Sequence, residues 1–127
     1  MSSEAENVNI IGIGSPVVDM LARVEDLFLE KNVEGDKGGM VLVSDESLSS
    51  SINELESETY KAPGGSAGNT LFTLAEMGMQ AGFLGKVGMD EDGDYYKRSF
   101  EKLGGDVSRF RTDPAVPTAR SLCLVTP

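Results

Sequence analysis

Ala62–Val87 reads APGGSAGNTLFTLAEMGMQAGFLGKV, a glycine-rich loop followed at once by two apolar runs. In the first run Leu71, Leu74 and Ala75 share one helical face, and Gly78 stands at the C′ position where helices often end. The second, Ala81–Val87, has the continuous apolar character of a strand buried on both faces. Downstream, Tyr96, Phe100 and Leu103 form another helical stripe. Asp90, Glu91, Asp92 and Asp94 open that helix and Lys97, Arg98 and Lys102 come later, the order its macrodipole favours. Gly104 ends it, and Val107–Arg111 reads as a third short strand. Helix 66–77, strand 81–87, helix 92–103 and strand 107–111 thus alternate with short connections, the pattern of βαβ units on a parallel sheet. Upstream, Val8–Gly14 (VNIIGIG) supplies a further buried, β-branched strand.

Other segments fit this scheme poorly and predict a separate small sheet: 17–23, 36–43 with its apolar run MVLV, 57–62 and 119–125. Glu25–Gly39 reads as a short helix and a loop. Ser44 caps a helix whose first turn holds Asp45 and Glu46, with Leu48, Ile52 and Leu55 on one side.

The 127 residues carry 21 acidic and 11 basic side chains, a formal charge of −10. Such a surface repels phosphate backbones and anionic lipids, which argues against nucleic-acid and membrane partners. No apolar run approaches the roughly 20 residues of a membrane span. The polar start MSSEAENVN is not a secretory signal, so the cytoplasm is the default compartment. Histidine is absent, which removes imidazole catalysis and most zinc sites. Cys123, in the run SLCLV, reads as a small core residue rather than a nucleophile. The chain stops at SLCLVTP, in or just beyond a strand-like run. An unpaired apolar edge would template aggregation, so the expectation is a piece of a longer protein.

The loop invites a phosphate-binding reading, but no G-x-x-x-x-G-K-[ST] motif occurs. Gly12–Val17 (GIGSPV) breaks the dinucleotide fingerprint at its last glycine, and Pro16 removes an N–H that a pyrophosphate would use. A tight turn accounts for Gly64 and Gly65 but not for Asn69 in the first turn of an apolar helix, where an amide is a mediocre helix former. Paired glycines and a helix-start amide suit a neutral, hydroxyl-rich ligand instead. Asp19, in SPVVDMLA, either faces solvent from an edge strand or turns into a cleft, where a carboxylate accepts two adjacent hydroxyls. With Asn69 in the same cleft, the parts would suit a polyol.

Taken together, these residues resemble the N-terminal part of the ribokinase-like (PfkB) carbohydrate kinases, in their adenosine-kinase-like branch. The anchor is the glycine pair Gly64–Gly65, Asn69 at the next helix start, and GFLGKVGMDEDG with Gly85, Gly88 and Gly93. GIGSPVVD matches the family's opening strand and acidic position, and DKGGMVLVSDE its lid strand and next helix start. The resemblance implies an α/β fold with a Rossmann-like parallel core (about 8–14 and 64–111) and a small β-sheet lid (about 17–43, 57–62 and 117–127). It implies that Asp19, Gly64, Gly65 and Asn69 bind a sugar or nucleoside, with Val17 and Met40 as lid contacts.

The same resemblance implies ATP and Mg2+ for phosphoryl transfer to a primary hydroxyl. The aspartate base and anion hole belong to a C-terminal half not among these residues, so no catalytic or metal-binding residue is expected here and the chain alone is expected to be inactive. Dimerisation through the lid is left open. Two alternatives stand beside this reading, a non-catalytic sugar-binding or regulatory protein and a dinucleotide-binding domain.

Overall fold

The computed structural model describes residues 9–127. In chain order its elements are β1 (Ile10–Ile13), β2 (Val17–Arg23), α1 (Asp26–Asn32), α2 (Asp45–Asn53), β3 (Thr59–Gly64), α3 (Ser66–Glu76), β4 (Ala81–Leu84), β5 (Lys86–Gly88), α4 (Glu91–Lys102), β6 (Arg111–Asp113) and β7 (Ala119–Val125). Val8, the expected start of the first strand, and most of the polar N-terminal stretch lie outside the described residues. The chain divides into two units.

The first unit takes the described residues through Val18 together with Pro63–Arg120. β1 pairs in parallel with β4, Ile10 opposite Ala81 and Ile13 opposite Leu84. β5 pairs in parallel with β6, Lys86 opposite Arg111 and Gly88 opposite Asp113. The single strand expected at 81–87 is therefore two short strands, interrupted at Gly85. The ladder continues across the break, because the Arg111 N–H donates to the Gly85 carbonyl at 2.8 Å and Gly82 bridges Asp106 in parallel. α3 leads into β4, and α4 connects β5 to β6, as parallel pairing requires of its crossovers. Both helices end in the double bond of a Schellman turn. Gly78 donates to Ala75 and Met79 to Leu74, and likewise Gly104 donates to Glu101 and Gly105 to Phe100.

Aromatic rings fill the space between these helices and the sheet. Phe83, Tyr96 and Phe100 are fully buried, with Leu71 and Ala75 beside them in the core. Phe72 stands edge-on to Tyr96 at 5.4 Å between ring centroids, and Phe110 edge-on to Phe83 at 5.2 Å. Phe110 explains a correction. Val107–Phe110 is a turn rather than the expected strand, closed by a Phe110 N–H bond to the Val107 carbonyl and by an Asp106 carboxylate that accepts the Ser108 N–H. Local aspartate turn chemistry and packing of the half-buried Phe110 ring on Phe83 outweigh β propensity, so β6 begins only at Arg111.

Asp90 caps α4 and ties it to the segment before β7. One carboxylate oxygen accepts the Gly93 N–H at 2.8 Å and the Thr118 hydroxyl at 2.6 Å; the other accepts the Thr118 N–H at 2.8 Å. The Thr118 hydroxyl, itself buried, accepts from the Gly88 N–H at 2.9 Å. Burial pushes the Asp90 carboxyl up, but the Thr118 and Gly93 bonds and the nearby Arg120 charge outweigh it and hold the group below the usual aspartate value. A depressed folded-state value stabilises the fold above the unfolded value of about 3.9, and that stabilisation is lost as pH falls through the lower folded value. Asp90→Ala is accordingly expected to cost about 2–4 kcal/mol at neutral pH, a lost cap plus unsatisfied Thr118 donors. Urea unfolding at pH 7 and pH 3 checks it, the gap between wild type and variant narrowing at the acid pH.

The second unit takes Asp19–Ala62 and Ser121–Pro127. Its sheet has the strand order β3-β2-β7. Along β2, Val18, Met20 and Ala22 are buried while Val17 and Asp19 are half-buried and Leu21 and Arg23 exposed, the alternation of a strand with one covered face. The Val24 N–H donates to Val125 at 2.9 Å, and the Ser57 hydroxyl to the Arg23 carbonyl at 2.8 Å. Ser44 caps α2 by accepting the Ser47 N–H at 3.1 Å, and Leu48, Ile52 and Leu55 are half-buried as their spacing predicts.

Two expectations in this unit are corrected. Residues 37–43 form no strand, and Met40 and Leu42 are almost fully exposed. Gly39 closes a turn onto the Asp36 carbonyl, and no described strand pairs with the run that follows, so its β propensity finds no ladder. Cys123 is exposed rather than in the core, since the alternation along β7 turns it outward. Among the described residues no helix is long and apolar enough to cross a membrane.

Candidate functional site

The glycine loop sits where β3 passes into α3, and the structure brings Gly64, Gly65 and Asn69 together there. Gly65 is the N-cap residue with φ of 87°, a left-handed conformation. A Cβ at Gly65 would lie 2.5 Å from the Ser15 carbonyl oxygen, so both dihedral and space demand glycine. The Gly65 carbonyl accepts the Asn69 N–H at 2.8 Å, which closes the first turn. Gly64 is buried, and its carbonyl accepts the Tyr96 hydroxyl at 2.7 Å. A Cβ on Gly68 would collide with that same hydroxyl.

Tyr96 is the residue whose role the sequence reading missed. Its place on the apolar stripe of α4 predicts core, and nothing in the spacing signals that its polar tip reaches the loop. Buried tyrosines do satisfy their hydroxyl, so the search for a partner was the available signal.

The helix end itself is open. No side chain caps α3, whereas Ser44 and Asp90 cap α2 and α4. Its first-turn N–H groups carry the positive end of the helix dipole and can meet ligand oxygens. Asn69 is exposed in that first turn; its carbonyl accepts the Thr73 hydroxyl at 2.8 Å.

Asp19 belongs to the second unit. It lies on the half-exposed face of β2, the face opposite Val18 and Met20, and one carboxylate oxygen accepts the Ser121 hydroxyl from β7 at 2.5 Å. Val17 shares that face and is half-buried; Met40 lies in the irregular run after Gly39. Among the described residues no group of three or more Asp, Glu, His or Cys side chains could hold a metal ion. The sequence holds no lysine-bearing phosphate loop either, and among the described residues none is assigned to ATP–Mg2+.

The chain belongs to the pfkB family of carbohydrate kinases, whose domain matches residues 39–127. It is 31% identical over 68 residues to the aminoimidazole riboside kinase of Salmonella typhimurium strain LT2, a match covering 54% of this chain and 21% of that protein. Among solved structures, the adenosine kinase from Sinorhizobium meliloti is 35% identical with a TM-score of 0.73, over 92% of this chain and 35% of that one. A probable sugar kinase protein from Rhizobium etli CFN 42 is 32% identical with a TM-score of 0.72, again over 92% and 35%. The chain therefore spans about a third of the length of these solved structures. Its mixed α/β architecture, a parallel sheet with its helices and a second small sheet, is the ribokinase-like fold of these kinases.

Proposed function

We propose that the full-length protein transfers the γ-phosphoryl group of ATP, with Mg2+, to a primary hydroxyl of a nucleoside or related sugar, and that this chain carries the sugar-binding portion. The observation that carries the reading is family membership over residues 39–127 together with relatives described as adenosine and aminoimidazole riboside kinases. The local chemistry supports it. Asp19 accepts ligand hydroxyls through charge-assisted bonds. Gly64 and Gly65 give a ligand a backbone with no side chain in the way, and Asn69 can both donate and accept. Val17, on β2, and Met40, in the irregular run after Gly39, are assigned apolar contacts to the ligand.

What these residues contribute is binding and orientation: a held sugar presents its hydroxyl to the phosphoryl donor as a unimolecular partner. We assign these residues no step of the transfer itself.

The test is ADP release by the full-length protein with ATP and Mg2+, supplied with adenosine, ribose or fructose. The expected result is turnover with adenosine favoured in kcat/KM. Binding of a sugar or nucleoside with no transfer to any of them would overturn the kinase reading in favour of a non-catalytic binding protein.

A further inference from the structure

We propose that Ser121 is a positioning residue for Asp19. The proposal rests on the reading of Asp19 as the acceptor of ligand hydroxyls, and assigns the group that aims it. The two residues are 102 positions apart, and β2 and β7 are neighbours in the small sheet. The Ser121 hydroxyl donates to one Asp19 carboxylate oxygen at 2.5 Å, and a bond to a charged acceptor is of the stronger kind. The direction of the bond is forced: a carboxylate only accepts, so the serine proton points at Asp19.

This contact divides the work of the carboxylate. One oxygen is committed to the protein, which stops rotation of the side chain, and the other is presented at a set angle to a ligand. A free aspartate would lose that rotational freedom only when ligand arrives, at the expense of affinity; a hydroxyl on the next strand removes the loss beforehand. Both residues are half-buried, and Asp19 stands on the side of β2 away from the covered Val18, Met20 and Ala22. The pair is therefore reachable by ligand, and the bond is shielded enough from water to persist. Nothing in the local sequence around Ser121 announces it, for it sits in an apolar run as one polar residue among Leu122, Cys123 and Leu124.

The experiment uses the full-length protein and adenosine, reading Kd by calorimetry, KM and kcat by ADP release, and Tm. Ser121→Ala is expected to raise Kd and KM about fivefold, the size of one modest hydrogen bond, with kcat within about twofold and Tm unchanged. Ser121→Thr, which keeps the hydroxyl, is expected to restore wild-type Kd. In the double variant Asp19→Ala/Ser121→Ala, adenosine binds no more weakly than to Asp19→Ala alone, because serine acts only through the aspartate. If Asp19→Ala weakens binding while Ser121→Ala does not, the positioning role is overturned and the sugar-site reading stands. If neither variant changes Kd, both are overturned. A drop in Tm for Ser121→Ala with Kd unchanged, or a Thr variant as weak as Ala, would make Ser121 merely structural and equally overturn the role.

Discussion

Asp19→Ala in the full-length protein is expected to weaken adenosine binding about 100-fold, while unfolding stability falls by about 1 kcal/mol or less. A hydrogen bond to a charged group is worth about 1.5–3 kcal/mol, and about 2.7 kcal/mol corresponds to the hundredfold loss. One well-formed bond, or two partly solvated ones, suffices for it. The stability side is small because Asp19 is half-buried and its bond to Ser121 joins two groups that water can partly reach. Calorimetric titration with adenosine and a urea melt measure the two quantities on the same preparation. A loss of several kcal/mol in stability with affinity untouched would make Asp19 a structural residue, and the proposed sugar site would fall with it.

Phe83→Ala is expected to act in the opposite sense, on stability first. Phe83 is fully buried on β4, with ring centroids of Tyr96 at 6.0 Å, Phe100 at 6.3 Å and Phe110 at 5.2 Å. Truncating a buried phenylalanine costs about 3–5 kcal/mol, the lost transfer energy plus the cavity left behind. A domain has only about 5–15 kcal/mol in hand, so a large part of the fold's margin would go. The effect should reach the glycine loop, since Tyr96 packs on Phe83 and also holds the Gly64 carbonyl. Urea unfolding gives the number; Met89→Ala, at an exposed position, serves as the control and should stay within about 0.5 kcal/mol. A Phe83→Ala loss below about 1 kcal/mol would mean that the aromatic cluster is not the core of this unit.

The parts of the fold that were legible in the sequence are those with local causes. Ser44 caps α2 because its hydroxyl reaches an N–H three residues on, and Gly78 ends α3 through bonds made within the same turn. The apolar stripes of α3 and α4 share their period with the helix, so Leu71, Ala75, Tyr96 and Phe100 were readable as core. Three of the segments that did not fit the parallel core, at β2, β3 and β7, are indeed strands of one separate sheet. The errors share a cause as well. MVLV has the composition of a strand but no described partner, and Val107–Phe110 lost its strand to an aspartate turn and to the packing of the Phe110 ring on Phe83.

For the candidate site, residue types were readable and partnerships were not. Gly65 announces a special backbone position, and its positive φ and contact with Ser15 bear out a need for glycine there. Asn69 and Asp19 stood out because an amide in a first helical turn and a carboxylate in an apolar strand each ask for a partner.

By itself, then, the sequence determined periodicity, helix ends and the kinds of chemical group on offer, since all three depend on residues within a turn or a strand of one another. Only the tertiary structure decided that Tyr96 closes on Gly64 across 32 positions and that Ser121 reaches Asp19 across 102. A hydrogen bond between distant segments depends on which strands and helices become neighbours. No local pattern carries that information, and the packing of the whole unit settles it.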